Sequence, residues 1–177
     1  MGAGLLRDSA RRLPLASSRG RRASLRCGPR AEITCGTGLV IATDTALVVS
    51  GELVIGDNFF LGSGSRIVCL DRVTIGNDVR FGERVSVHDE AHLFEPFPVL
   101  GQSRSVYTTK PIHIGDRVWL AANVVVAGGA SIGSDSVVGA NSVVTRDIPS
   151  GVLAAGIPAV VIRELSSAPV PSPDGRR

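Results

Sequence analysis

Aromatic side chains are scarce in this sequence: they make up 4% of its residues, although 44% of the residues are hydrophobic. Glycine is plentiful, with 21 residues in a chain of 177. This balance excludes a core built around large rings and favours a regular framework of small β-branched side chains over a mixed α/β core. A chain of this length corresponds to one domain.

Cysteines are also few, and the three of them lie far apart, at Cys27, Cys35 and Cys69. Their spacing matches neither a metal site nor a redox motif, and unpaired thiols favour a reducing compartment, so we expect a cytoplasmic protein. No hydrophobic run approaches the ~18 residues that a membrane-spanning helix needs. The sequence therefore predicts a soluble chain.

Positive charge is concentrated at one end of the chain, whose overall net charge is +3. Residues 1–30 contain eight arginines and one aspartate, whereas residues 31–165 carry a net charge of −5. Because the basic segment has neither interleaved aromatic residues nor a recognition-helix pattern, we do not expect binding to nucleic acid.

The basic N-terminal arm, residues 1–30, has three interpretations. Its arginine and serine content resembles an organellar transit peptide, and a basic surface helix on anionic lipid or an acidic polymer is a second interpretation. Pro14 and Gly20 interrupt a long amphipathic helix and so favour the third, a poorly ordered extension. The Pro- and Ser-rich tail, residues 166–177, is predicted to be disordered.

A six-residue period runs through the centre of the chain. Every sixth residue from Ile114 to Val144 is aliphatic, and we call these the lead residues. The residues four positions after each lead, from Val118 to Ile148, are small or aliphatic. Successive leads would lie on opposite faces of an α-helix, and the interrupting Gly, Asn and Asp residues break the alternation of a flat strand. The period therefore predicts short strands separated by tight turns.

Such short repeats cannot bury a core alone, so they must stack into a solenoid. One large and one small side chain would point inward in each repeat. A glycine after the lead, as in Ile75-Gly76 and Ile55-Gly56, leaves room for the bend.

Three segments, "IGDRVW", "SIGSDSVVGANSVVTRDIP" and "AAGIPAVVIREL", resemble the hexapeptide-repeat acyltransferases, especially the galactoside, maltose and polysaccharide O-acetyltransferase branch. The resemblance implies an all-β fold, a left-handed parallel β-helix with three hexapeptides and about 18 residues per coil. It would span residues 31–165, with an extruded active-site loop at 88–111 and a C-terminal cap at 151–165. The family also implies a homotrimer that binds acetyl-CoA in clefts between subunits.

The repeat is interrupted once, between Val87 and Ile114, and interruptions are where solenoids place function. Transfer of an acetyl group from a thioester to a hydroxyl needs a base, and histidine suits that role near neutral pH. The resemblance places the catalytic histidine at His92, with His88 as the alternative. Three acidic residues are candidates for orienting its imidazole: Asp89, Glu90 and Glu95.

The resemblance also implies a binding surface for acetyl-CoA. The backbone N–H near Ala122 is the candidate donor to the thioester oxyanion, and the small Ala140 would let the pantetheine arm approach. Trp119 would line the same cleft, unless it is only a packing residue at the trimer seam. The implied set is Trp119, Ala121, Ala122, Ala140, Thr145, Arg146 and Arg163.

The acceptor is expected to be a sugar or glycan hydroxyl. In galactoside-type members an asparagine and an acidic residue bind the sugar, but the corresponding positions here fall near Gly62 and Leu70. This argues against a simple galactoside or maltose, and leaves Arg104 and Tyr107 of the extruded loop to shape specificity.

Two other classes of function remain open. The first is a non-catalytic β-helix that serves as an assembly scaffold. The second is a metal enzyme similar to the γ-class carbonic anhydrases, which share the implied fold and bind zinc through three histidines. His113 precedes the lead residue Ile114 and should point outward, which argues against the convergence that a zinc site needs, so no metal is expected.

Overall fold

The computed structural model describes residues 4–6, 16–92 and 107–166. Within these ranges the regular structure is all β, and the strands form three large sheets. In spatial order, the first sheet contains Gly4–Leu6, Glu32–Cys35, Glu52–Ile55, Arg72–Ile75, Ile112–Ile114 and Ser131–Ile132. The second contains Ala16–Arg19, Leu39–Ile41, Phe60–Leu61, Arg80–Phe81, Trp119–Leu120, Val137–Val138, Val152–Gly156 and Ala159–Glu164. The third contains Val143–Val144, Val125–Ala127, Ser86–His88, Arg66–Cys69, Ala46–Val49 and Ser24–Cys27.

The chain passes through the three sheets in turn, so that neighbouring strands of one sheet come from successive coils. Apart from the terminal strands Gly4–Leu6 and Ala159–Glu164, which pair antiparallel, these neighbours pair in parallel. Arg72–Ile75, for example, pairs in parallel with Glu52–Ile55 on one side and Ile112–Ile114 on the other. Side chains at equivalent positions of successive coils therefore stack in columns. This is the predicted parallel β-helix of hexapeptide repeats, and its sheet order is consistent with the left-handed form.

The coils differ in length, which corrects the expectation of about 18 residues per coil throughout. In the C-terminal part Ile114 pairs with Ile132, 18 residues later. In the N-terminal part Ile55 pairs with Ile75, 20 residues later. In the longer coils the two additional residues lie where the chain passes from the third sheet to the first. There, one additional buried side chain follows the lead residue, as Cys69 follows Ile67. The interior is consequently wider at the N-terminal end.

The inward side chains fill the solenoid along its whole length. The leads from Ile114 to Val144 and their small partners from Val118 to Ile148 are all buried, as the period predicts. Equivalent positions form continuous columns; Phe81, for instance, is the register partner of a leucine in each adjacent coil. Fully burying an aliphatic or phenyl side chain contributes about 1.5–3 kcal/mol, so each added coil extends the core.

A glycine after the lead residue marks the corner where successive coils approach most closely. A Cβ on Gly76 would lie 2.4 Å from Oδ1 of Asp116 and 2.8 Å from its backbone nitrogen. The next residue ties the coils together, because Asp116 Oδ1 accepts a hydrogen bond from the Asn77 N–H at 2.7 Å. Ser134 Oγ accepts from the Asp116 N–H at 3.0 Å in turn. Each of these triplets, Ile-Gly followed by Asp, Asn or Ser, thus supplies a core residue, a close approach and an inter-coil hydrogen bond.

A further corner residue in each repeat adopts the left-handed backbone conformation. Asp78, Arg117 and Asp135 stack at one corner with φ of 56°, 53° and 62°, a region that aspartate tolerates better than most residues. The Arg117 guanidinium donates to both carboxylate oxygens of Asp135 at 2.6 and 2.8 Å. These hydrogen bonds, together with the charge of Arg117, lower the pKa of Asp135 below its ordinary value of 3.8.

Strand pairing begins N-terminal to residue 31, the predicted first residue of the β-helix domain. Ser24–Cys27 pairs in parallel with Ala46–Val49 and belongs to the third sheet. This part of the predicted basic arm therefore contributes a strand to the solenoid.

The C-terminal end of the second sheet is covered by an antiparallel pair, Val152–Gly156 with Ala159–Glu164, at the place of the predicted cap. The tail predicted to be disordered lies outside the described residues, except for Ser166. No helix in the described ranges is long and apolar enough to span a bilayer.

Candidate active site

The chain leaves the solenoid after the third-sheet strand Ser86–His88 and forms a hairpin. The hairpin consists of the antiparallel strands Glu90–His92 and Tyr107–Thr109. The chain returns to the coil at Lys110, whose backbone N–H donates to the Asp89 carbonyl at 2.8 Å. The interruption of the period is therefore a projection from one side of the solenoid, as predicted.

His92 is the last described residue of the first hairpin strand, and its side chain is exposed. It is the register partner of Tyr107, and the two ring centroids lie 4.3 Å apart with a tilt of 50°. The hairpin thus brings together the predicted base and one of the two predicted specificity residues. The other, Arg104, and the carboxylate candidate Glu95 fall in residues 93–106, outside the described part of the chain.

His88 lies on the outer face of the third sheet, in a different environment. Its Nε2 is 3.2 Å from the Ser86 hydroxyl, and its Nδ1 is 3.5 Å from Oε1 of Glu90. The His88 side chain is 31% exposed and that of Glu90 is 15% exposed. Of the acidic candidates, Glu90 therefore faces the alternative histidine, His88.

Asp89 points the other way, into the solenoid, where it is completely buried. Its carboxylate accepts hydrogen bonds from the backbone N–H groups of Leu70 and Asp71, both at 2.8 Å. The sequence suggested Asp89 only as a partner for a catalytic imidazole. A usable signal was present, because Asp89 follows the lead Val87 by two residues, the spacing that directs a side chain inward in the longer coils.

His113 lies on the first sheet, with an exposed side chain, as predicted. Its Nδ1 is 2.8 Å from the Thr74 hydroxyl of the preceding coil. It is therefore on a different sheet from His88. In the described ranges, no three His, Cys, Asp or Glu side chains are grouped so that they could hold a metal ion.

Four of the residues proposed to contact acetyl-CoA lie together at the corner between the second and third sheets. Trp119 stands on the second sheet and is 52% exposed, and Ala121 and Ala122 follow it at the corner. Ala140 occupies the same corner one coil later, where the Ala122 carbonyl accepts the N–H of Asn141 at 2.9 Å. An exposed indole beside two small side chains leaves an open surface for a flexible chain.

The other three residues of the set lie elsewhere. Thr145 and Arg146 are exposed and follow the C-terminal end of the third-sheet strand Val143–Val144. Arg163 is exposed on the C-terminal strand of the second sheet, as the register partner of Leu153. A single chain therefore does not gather the whole set at one corner.

Comparison with known proteins identifies the repeats. Residues 111–146 match the bacterial transferase hexapeptide family (six repeats). The chain is 41% identical over 115 residues to the galactoside O-acetyltransferase of Escherichia coli (strain K12), which covers 63% of this chain and 54% of that protein. It is 38% identical over 94 residues to the galactoside O-acetyltransferase of Lactococcus lactis subsp. lactis (strain IL1403), covering 53% and 44%. The chain spans about half the length of these curated relatives.

Solved structures show the same solenoid. A maltose O-acetyltransferase from Clostridium difficile 630 superposes with a TM-score of 0.59 at 26% identity, over 86% of this chain and 71% of that one. A galactoside acetyltransferase in complex with coenzyme A gives a TM-score of 0.51 at 29% identity, over 83% and 64%. AntD, an N-acyltransferase from Bacillus cereus, has a TM-score of 0.74 at 18% identity, over 84% and 81%, and so shares the fold. Its stacked six-residue repeats therefore make the chain similar to the hexapeptide-repeat transferases, and residues 111–146 match the repeat model of that family.

Proposed function

We propose that the protein is an acetyl-CoA-dependent O-acetyltransferase that acetylates a hydroxyl of a sugar or glycan. The observation that carries the proposal is the exposed His92 on the hairpin that interrupts a transferase-family solenoid. Two relatives are named galactoside O-acetyltransferases, and one similar structure contains coenzyme A. We assign the protein to the cytoplasm, because its three described cysteines are unpaired.

In this proposal His92 is the general base. Its imidazole takes the proton of the acceptor hydroxyl while the hydroxyl oxygen attacks the thioester carbonyl carbon. The carbon–sulfur bond breaks, and the imidazolium gives the proton to the departing thiolate. The Ala122 N–H, which donates to no acceptor among the described residues, stabilises the oxyanion that develops during the attack. Both substrates are bound at once, so no covalent acyl-enzyme forms.

The described surface fits an acyl-CoA in its chemistry. The exposed Trp119 and the small Ala122 and Ala140 suit a thin, partly apolar pantetheine arm. Arg146 and Arg163 are exposed and suit the nucleotide phosphates, since a guanidinium binds phosphate oxygens in pairs. Because these groups lie at different corners of one chain, we propose a homotrimer whose clefts unite residues from neighbouring subunits.

The acceptor would bind at the exposed end of the hairpin. Tyr107 packs beside His92 there and carries a hydroxyl that can bind a sugar hydroxyl. Arg104 is proposed as a second specificity residue. Gly62 and Leu70 cannot form the sugar contacts of galactoside-type members, so a glycan or a lipid-linked sugar is favoured over a simple galactoside.

Free-thiol release from acetyl-CoA, measured with a panel of sugars and glycans, tests this function. We expect His92→Ala to lower kcat by about 10²- to 10⁴-fold, the usual contribution of a general base. Coenzyme A binding, measured by calorimetry, should be unchanged. His88→Ala is the matched control, and it should retain turnover.

Two results would contradict the proposal. If His88→Ala abolished turnover while His92→Ala kept the wild-type rate, the base would be His88. If the wild-type protein neither bound coenzyme A nor released thiol with any acceptor, a non-catalytic scaffold would be the better assignment. Sedimentation analysis of the same samples checks the trimer.

A further inference from the structure

Asp89 places a carboxylate where the two preceding coils have apolar or weakly polar side chains. The equivalent inward positions are occupied by Val49 and Cys69, which are register partners in the third sheet. Asp89 directly follows His88, the partner of Val68, and therefore extends the same column. All three column residues are 0% exposed. Because burying a charge is costly without hydrogen bonds, this substitution requires a physical reason.

The reason lies in the backbone hydrogen bonds of the preceding coil, at the corner that follows its third-sheet strand. One coil earlier, the N–H groups of Ser50 and Gly51 donate to the Cys69 carbonyl at 2.7 and 3.3 Å. The corresponding carbonyl in the next coil, that of Asp89, accepts instead from Lys110, the residue at which the hairpin returns. Because the chain leaves the coil here, the Asp89 carbonyl does not accept from Leu70 and Asp71, which lie at the corresponding corner of the preceding coil.

The Asp89 side chain replaces that acceptor. Its Oδ1 accepts from the Leu70 N–H and its Oδ2 from the Asp71 N–H, both at 2.8 Å. Asp89 therefore binds the preceding coil through its side chain, and it binds the returning chain at Lys110 through its carbonyl. Aspartate has the length and the two acceptors that both bonds require.

The base of the hairpin is also held from above. The Gly129 N–H donates to the Lys110 carbonyl at 3.1 Å. A Cβ added to Gly128 would lie 2.9 Å from the Asp89 carbonyl oxygen, so the next coil packs closely on the hairpin base. Entry and exit of the hairpin are thus fixed between two complete coils.

We propose that Asp89 is a positioning residue that fixes the orientation of the hairpin and, through it, of His92. His92 follows Asp89 by three residues and is carried on the hairpin strand that starts at Glu90. The inference rests on the proposed function, which assigns the base to His92. A displacement of about 1 Å at a catalytic group can lower a rate up to about 100-fold.

The test compares three variants. Asp89→Val introduces the residue found at the first position of the column and removes both acceptors. Asp89→Asn keeps one acceptor oxygen but turns an amide N–H towards a backbone donor. Val49→Ala is the matched control, since it truncates a side chain of the same column two coils before the hairpin. We expect kcat to fall about 10- to 100-fold in Asp89→Val and by less in Asp89→Asn. Val49→Ala should keep the wild-type kcat.

The KM and the pH profile of the Asp89 variants distinguish a positioning role from direct participation in catalysis. The KM for acetyl-CoA and the pH at which kcat/KM is half-maximal should be unchanged, because Asp89 acts through the backbone and not on the imidazole charge. A shifted pH profile would show that the carboxylate acts on His92 directly and would overturn the proposal.

Hydrogen–deuterium exchange provides a readout that does not depend on activity. In Asp89→Val the amides of the hairpin strands Glu90–His92 and Tyr107–Thr109 should exchange faster, while those of Ile112–Ile114 remain protected. Unchanged hairpin exchange in both Asp89 variants would overturn the positioning role even if the enzyme is active. Faster hairpin exchange in a protein without transferase activity would support the positioning role and count against the proposed function alone.

Discussion

The phenol ring of Tyr107 lies 4.3 Å from the imidazole of His92, centroid to centroid, across the two strands of the hairpin. This contact covers one face of an otherwise exposed histidine. Cross-strand aromatic pairs of this kind contribute about 0.2–1 kcal/mol, enough to bias the rotamer of a side chain that has few other contacts.

Removing the ring should therefore loosen the proposed base. We expect Tyr107→Ala to lower kcat by about 3- to 10-fold, in keeping with the loss of roughly 1 kcal/mol of orienting contact. Tyr107→Phe keeps the ring and should retain kcat. A higher KM for the acceptor in Tyr107→Phe would assign the hydroxyl to substrate binding, whereas equal activity of Tyr107→Ala and wild type would show that the stacking has no catalytic role.

The corner hydrogen bonds predict a stability difference between two substitutions of one residue. Asp116→Ala removes the acceptor of the Asn77 N–H and should lower the free energy of unfolding by about 1–3 kcal/mol. Asp116→Asn retains an acceptor oxygen, as Asn77 itself does for the coil below, and should stay within about 0.5 kcal/mol of wild type. Urea unfolding of the two variants measures the difference, and equal stability would contradict the inter-coil bond.

The interior predicts that size at position 81 matters more than aromatic character. Phe81 packs edge-to-face on Phe59 with ring centroids 4.9 Å apart, and it is completely buried. Phe81→Ala should lower the free energy of unfolding by about 3–5 kcal/mol through loss of burial and formation of a cavity. Phe81→Leu should cost less, because its register partners Leu61 and Leu120 show that this column accommodates leucine. Thermal or urea unfolding checks the order.

The ion pair of Arg117 and Asp135 predicts an acid-dependent contribution to stability. Hydrogen bonding to Arg117 lowers the pKa of Asp135 in the folded state below the ordinary 3.8. The contribution is therefore complete above about pH 4 and is lost as the pH falls through the lowered folded-state value. Asp135→Asn should flatten the pH dependence of stability in this range. An unchanged slope in acid unfolding curves would contradict the assignment.

The cysteines predict selective alkylation and a loss of stability at alkaline pH. Cys27 is exposed, whereas burial raises the pKa of Cys35 to about 11. Burial, with the nearby charge of Asp89, raises the pKa of Cys69 to about 12. Because the folded-state values exceed the ordinary 9.0, stability should be complete below pH 9 and decline as the pH rises towards 11.

Mass spectrometry after brief treatment with iodoacetamide measures this selectivity. Native protein should be modified at Cys27 alone among the three, and unfolding in urea should expose the other two. Cys27→Ser should then resist modification in the native state. Rapid native labelling of Cys35 would contradict its burial in the column.

Most of the fold was predictable because its information is local and repeated. A lead such as Ile114, the glycine after it and the aspartate after that specify a buried side chain, a close corner and an inter-coil bond within three residues. The eight-residue step from Ile67 to Ile75 was also visible in the sequence, but its effect on coil width became clear only when Cys69 was found buried in the added space.

The site was predictable only in part. The break in the period located His92, and the resemblance assigned its role, but neither indicated that Glu90 faces His88 or that Tyr107 stacks on His92. These contacts depend on which way each strand of the hairpin presents its side chains. That choice follows from pairing across the hairpin and has no signature in a linear pattern.

The sequence by itself determined a stack of short parallel strands around an aliphatic interior, because a six-residue period of inward side chains has no other compact solution. Only the tertiary structure decided the role of Asp89, whose carboxylate serves two N–H groups nearly twenty residues away along the chain. Those donors need it because the neighbouring carbonyl is bonded to Lys110 across the hairpin base. These N–H groups face Asp89 only when successive coils are stacked, so the role of Asp89 exists only in the folded chain.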